Sequence, residues 1–239
     1  MTGGSDRAAE LSESLQVLRA RIAAACEAAG RPAEDVTLIA ITKTFPASDV
    51  RLLAGLGITD VGENRDQEAA GKAAACADLE PALRWHFVGQ LQVNKVRSVV
   101  GYADVVHSVD RPKLVRALGT RARQAGRVIT CLIQVDLDQP PDPERGGAQP
   151  ADVAALAGEV AAEDGLVLGG VMAVAPLGEP PRPAFRRLAE VALAVRSDHP
   201  GAMMISAGMT GDLDAAIAEG ATHVRVGTAL LGSRRAFVR

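Results

Sequence analysis

Aromatic residues are nearly absent: four Phe, one Tyr and one Trp stand in 239 residues. A core of that size must be filled by Ala, Val, Leu and Ile. This suits the layered aliphatic interior of a parallel barrel better than an aromatic-rich sandwich. Cysteine is equally sparse. Cys26, Cys76 and Cys131 are far apart, odd in number and without ligand spacing. That excludes a disulfide framework and a zinc site and predicts reduced thiols in a cytoplasmic protein. No sign of charge dominates: 26 Lys and Arg face 29 Asp and Glu, for a net charge of −3. The basic residues are scattered, so neither a nucleic acid nor an anionic membrane surface is expected as a partner. No apolar run approaches the ~20 residues of a membrane span. The start, MTGGSDRAAE, lacks the apolar stretch of a signal peptide. Nucleophile elbows, Walker loops and dinucleotide fingerprints are missing as well.

What is present is an alternation. Residues 6–29 read as one helix, with Leu11, Leu15, Leu18 and Ile22 on one face and Gly30 and Pro32 ending it. Eight strand-like runs then follow, at 36–42, 58–63, 84–89, 103–108, 128–136, 166–174, 202–208 and 222–227. Several are almost continuously apolar, as strands buried on both faces are. Between them lie helical patterns at 47–56, 65–79, 111–125, 151–163, 183–197 and 212–219, with a short one near 93–99. Eight strand-then-helix units in this length predict an α/β fold: a single (β/α)8 barrel, one domain spanning 1–239, with an extra N-terminal helix. The segment 138–150, DQPPDPERGGAQP, reads as a loop on the C-terminal face, either a solvated loop or a rim over the mouth.

Sites in such barrels gather at the C-terminal strand ends, so those ends carry the functional reading. Lys43 follows the apolar run VTLIAI. A lysine there is either partly desolvated, which frees its amine as a nucleophile toward carbonyls, or simply a side chain leaving the mouth for water. Ser206-Ala207-Gly208 closes the seventh run, and Gly227-Thr228 closes the eighth and opens the last helix. Backbone N–H groups at such glycines and helix starts suit a phosphate, a recurring feature after strands seven and eight; tight turns are the alternative. Arg225, on a strand, needs a partner if it points inward: a ligand acceptor such as a pyridine nitrogen, or an ion pair with Glu63 or Asp212. Asn64 serves a ligand or a turn. His86 stacks on a flat ligand or is a satisfied core histidine. His107, His199 and His223 have no metal spacing. A lysine on strand one facing a phosphate clamp on strands seven and eight describes a Schiff-base site for a phosphorylated aldehyde, and pyridoxal 5′-phosphate is the cofactor that fits.

The same residues resemble the pyridoxal phosphate homeostasis protein family. The likeness runs through AITKTFP (40–46), GENRDQEAAGK (62–72), WHFVGQLQVNK (85–95), VHSVDRPKL (106–114), GVMAVAP (170–176) and SAGMTGDLDAAIAEGATHVRVGTALLGSR (206–234). The resemblance implies a monomeric fold-type III barrel like the N-terminal domain of alanine racemase, without that enzyme's second domain. It implies that Lys43 forms the Schiff base and that Arg225 faces the pyridine nitrogen. It implies that Ser206, Gly227 and Thr228, with Gly208 beside them, hold the phosphate, and that Asn64 lies beside the ring. Ala207 stands where the family often has methionine, and Asp136 where asparagine is more frequent. The implied role is a carrier or buffer of pyridoxal phosphate, with apo-enzymes as recipients; an amino-acid racemase is the alternative. Racemisation needs an acid/base group on each face of the substrate carbon, and beyond Lys43 the sequence names none.

Overall fold

A computed structural model describes residues 3–140 and 146–232. The chain opens with α1 (Gly3–Ala28) and then alternates. The order is β1 (Thr37–Ile41), α2 (Ala47–Gly55), β2 (Asp60–Glu63), α3 (Asp66–Ala75), β3 (Arg84–Phe87), α4 (Val96–Val99), β4 (Val105–Val109), α5 (Pro112–Ala125) and β5 (Ile129–Gln134). It continues with α6 (Val153–Ala162), β6 (Leu166–Met172), α7 (Pro181–Asp198), β7 (Met204–Ser206), α8 (Leu213–Ala218), β8 (His223–Val226) and α9 (Thr228–Leu231). All eight strands are parallel and close into a barrel in sequence order, with Thr37 of β1 opposite His223 of β8. This is the predicted (β/α)8 architecture. Of the proline-rich loop, residues 141–145 lie outside the described residues. Its far side returns to β5, where Asp136 N–H donates to Ala148 O (2.9 Å) and Ala148 N–H to Gln134 O (2.8 Å).

The helices form where apolar residues recur on one side. In α5, Leu114, Val115, Leu118 and Ala122 are buried while Arg116, Arg121 and Arg123 face outward. Pro112 starts that helix, and Gly126 in the left-handed conformation (φ +62°) ends it. The one-turn α9 cannot cover the outside of β8 and β1. The N-terminal helix does so instead: Leu11, Leu15, Leu18, Ile22 and Cys26 join the cluster that holds Val224, Val226 and Leu230. Arg7 ties α1 to Asp49 on α2 (2.8 Å) and to Leu231 O (3.0 Å). Strand β6 shifts register against β5 beside Gly169-Gly170. Gly170 has φ +144°, and a Cβ there would stand 2.0 Å from Met204 O, so only glycine lets β7 approach.

Alternation along the strands separates two cores. Ala40, Val61, Trp85 and Val224 face the helix layer. Inside the barrel, Val105, Leu132 and Met172 form a small apolar cluster with Val174 and Met204 against it. The interior also holds Ile39 and a set of buried polar groups: Asp60, His86, His107, Ser206, His223 and Arg225. All three cysteines are free and buried. Among the described residues no His/Cys/Asp/Glu group could hold a metal, and no helix is long and apolar enough to cross a membrane.

Candidate functional site

The first strand ends in a constrained turn. Thr42 N–H continues the ladder to Gly62 O (3.0 Å), and Phe45 N–H then folds back onto Thr42 O (3.1 Å). Lys43 and Thr44 are the central residues. Thr44 has φ +69°, the one positive φ at a non-glycine among the described residues. A β-branched residue there is strained and must be held by its surroundings. Helix α3 does the holding. Glu68 Oε2 accepts from Thr44 N–H (2.9 Å), and Lys72 Nζ donates to Thr42 O (2.6 Å) and to Glu63 Oε1 (2.6 Å). Thr42 Oγ1 donates to the same Glu63 oxygen (2.6 Å). Burial pushes the Glu63 carboxyl above its ordinary range, outweighing the bonds from Lys72 and Thr42. Of the two readings of Lys43, a side chain leaving the mouth for water matches the geometry. The turn carries it past the packed Ile41 and Thr42, and its side chain is exposed.

The neighbouring strand ends flank that lysine. A Cβ on Gly227 would lie 3.2 Å from Ile41 O, so the Gly227-Thr228 corner sits against the strand that bears Lys43, with Thr228 exposed. Asn64 follows β2, the other neighbour of β1, and its Oδ1 is buried with no hydrogen-bond partner among the described residues. Gly208 follows β7 with φ +90°, and its carbonyl accepts from Arg225 N–H (2.9 Å). A side chain there would press on Ala216 and Leu213 of α8, so this glycine is needed for the turn whatever it binds.

Arg225 points inward and is buried. Its Nη1 donates to Ser206 Oγ (2.6 Å) and its Nη2 to Ala173 O (2.8 Å). It pairs with neither Glu63 nor Asp212; burial lowers its pKa to about 10, against the opposing charge of Asp212. Ser206 is fully buried, and its hydroxyl contacts His107 Nδ1 (3.0 Å) as well as Arg225. His86 is buried as well, with Nδ1 on His107 Nε2 (2.8 Å) and Nε2 on Asp60 Oδ1 (2.8 Å). Both its nitrogens are used inside the barrel, so of its two readings the satisfied core histidine matches the geometry. The structure thus gathers Lys43, Asn64, Gly208, Gly227 and Thr228 at the mouth, sets Arg225 and Ser206 below it, and leaves His86 inside. Sequence reasoning missed Glu68 and Lys72 as supports of the Lys43 turn. Their i, i+4 spacing on one helix face was the available signal.

The closed eight-stranded parallel barrel is the fold of the alanine racemase N-terminal class. Residues 14–235 match the family model described as "Alanine racemase, N-terminal domain". The chain belongs to the pyridoxal phosphate homeostasis protein family. A Mycobacterium tuberculosis protein of that name is 42% identical over 247 residues, covering 96% of this chain and 95% of its own. The solved structure of PipY from Synechococcus elongatus, with PLP bound, is 36% identical with a TM-score of 0.81, covering 93% of this chain and 100% of that one. Alanine racemase from Corynebacterium glutamicum shares the fold: TM-score 0.68 at 12% identity, covering 93% of this chain and 60% of the enzyme.

Proposed function

We propose that this protein binds pyridoxal phosphate at the barrel mouth and acts as a carrier or buffer of it in the cytoplasm, as a monomer that hands it to apo-enzymes. The observation that carries the reading is the Lys43 turn: an exposed primary amine on a strained corner pinned by two α3 contacts. Strain concentrated on one residue of a strand end marks a place where position matters more than stability. The donor set fits the group, because an amine, an exposed hydroxyl at a helix start, an arginine and the orphaned Asn64 Oδ1 surround one mouth. When bound, pyridoxal phosphate supplies an aldehyde that condenses reversibly with an amine and a ring that withdraws electrons.

The chain's own residues then have separable tasks. Lys43 offers the amine. Thr228, with the backbone of Gly208 and Gly227, takes the phosphate. Arg225 presents N–H donors to a ring nitrogen, and Ser206 steadies Arg225 from beneath. Asn64 orients the ring edge. A guanidinium facing that nitrogen leaves it unprotonated, where a carboxylate would favour its proton and strengthen electron withdrawal. Storage rather than turnover suits this arrangement.

The test is a spectrum followed by a transfer assay. Purified protein is expected to show the visible band of lysine-bound pyridoxal phosphate, lost in Lys43→Ala without a change in melting temperature. Loaded protein should restore activity to an apo-enzyme in the presence of a trap for free cofactor. A protein that stays colourless with added pyridoxal phosphate refutes the binding, and steady α-proton exchange of amino acids at an enzyme-like rate refutes the carrier role.

A further inference from the structure

A buried arginine with no carboxylate beside it is costly unless its charge is answered elsewhere. Arg225 touches a hydroxyl and a backbone carbonyl. From that hydroxyl a row of side chains runs across the interior: Ser206, His107, His86 and Asp60, joined at 3.0, 2.8 and 2.8 Å. All four are buried. Asp60 lies on β2 and Ser206 on β7, so the row crosses the barrel interior from one wall to another.

The two ends fix the direction of every bond between them. A carboxylate only accepts and a guanidinium only donates. Asp60 is a carboxylate: burial pushes its pKa up, but the bonds from His86 and Thr59 prevail and hold it below the ordinary value. His86 Nε2 must therefore carry a proton. Burial holds His86 below its ordinary pKa and His107 well below, so both rings are neutral. His86 Nδ1 is then an acceptor, His107 Nε2–H donates to it, and His107 Nδ1 accepts from Ser206 O–H. The Ser206 oxygen is left to accept from Arg225 Nη1–H. Every donor in the row is used once, and the bonds polarise one another in one sense.

We propose that Asp60 anchors Arg225 from across the barrel through this one-way hydrogen-bond chain, and that Asp60, His86 and His107 are positioning residues for the guanidinium below the mouth. Asp60's remaining partner is the Thr59 hydroxyl (2.7 Å), and Arg84 acts on it through space without an ion pair. The importance of the chain for a ligand rests on the proposed reading of the mouth, but its existence does not.

Imidazole nitrogen NMR on the unloaded protein tests it. In the unaltered protein both His86 and His107 are expected neutral and protonated on Nε2 alone. In Asp60→Asn the amide can donate as well as accept, so the chain loses its imposed direction. His86 is then expected to populate the Nδ1–H form, and the Arg225 guanidinium protons to exchange at least about tenfold faster as their surroundings loosen. Asp60→Glu should restore the single tautomer. A His86 carrying a proton on Nδ1 in the unaltered protein, alone or on both nitrogens, overturns the proposal even if no variant folds. Unchanged tautomers and guanidinium exchange in Asp60→Asn overturn it too. None of these measurements uses pyridoxal phosphate, so their failure would leave the reading of the mouth standing, and a protein that fails to bind the cofactor would leave the chain standing.

Discussion

Replacing Lys72 by methionine removes one ammonium group and keeps most of the side-chain volume. In the folded protein that ammonium lies 2.6 Å from both Glu63 Oε1 and Thr42 O, with the Lys72 side chain 9% exposed and that of Glu63 0%. Glu63 Oε2 already lacks a partner among the described residues. Without Lys72 a buried carboxylate would keep only the Thr42 hydroxyl. Breaking a buried pair from one side costs roughly 3–5 kcal/mol, whereas replacing both partners by apolar groups is often close to neutral. The double variant Glu63→Leu/Lys72→Met gives up the Thr42 hydroxyl bond, about 1 kcal/mol, together with some packing. It is therefore expected to be more stable than Lys72→Met alone, by about 2 kcal/mol or more. Urea unfolding at neutral pH, followed by the fluorescence of Trp85, measures both. The pH dependence adds a check of sign. Losing Lys72 raises the folded pKa of Glu63 further above its unfolded value. Stability tied to such a group is present below the unfolded pKa and lost as pH rises through the folded one. The deficit of Lys72→Met should accordingly shrink as pH falls toward 5. A loss below about 1 kcal/mol at neutral pH, or single-variant losses that simply add in the double variant, would refute this account of the turn.

Other perturbations probe other parts of the molecule. Burial lowers His223 to about 4 and pushes His86 and His107 down as well, so the unfolded chain binds protons that the folded one refuses. Stability should fall as pH drops below the ordinary histidine pKa of about 6.5, by about 1.4 kcal/mol per pH unit near pH 5 from His223 alone, with His86 and His107 steepening the fall; a denaturation midpoint unchanged between pH 7 and 5 would contradict this. Gly170→Ala should fail to fold or lose several kcal/mol, since its Cβ would meet Met204 O at 2.0 Å, and a melting temperature within 2–4 °C of the parent would count against it. Ser206→Ala and Thr228→Val should part company. The first strips a partner from His107 and Arg225 and should lower both thermal stability and cofactor retention. The second, on an exposed residue, should lower retention roughly tenfold or more at unchanged stability. Equal behaviour of the pair in equilibrium dialysis and thermal melts would remove the distinction.

Much of the frame can be read along the chain. Strand–helix alternation repeats eight times, and burial on both faces writes strands as apolar runs, so the barrel and the strand end bearing Lys43 are legible locally. The exposure of Lys43 is not, because it depends on where the ladder stops and on a turn held by α3. Nor is the place of the N-terminal helix, since nothing in residues 3–28 states that α9 will be one turn long and leave β8 and β1 uncovered.

The buried polar residues mark the boundary most clearly. Alternation along β3, β4, β7 and β8 says that His86, His107, Ser206 and Arg225 face one way, and the resemblance to a cofactor-binding family draws attention to two of them. It does not say that they touch. Those contacts join residues 19 to 99 positions apart. They exist because β8 closes on β1 and sets the register of every strand between. Sequence by itself determined the periodicities, the turn chemistry and the residue types at each strand end, which are local properties of neighbouring side chains. Only the closed barrel decided which donors meet which acceptors, because register is a collective property of eight strands and no single strand encodes it.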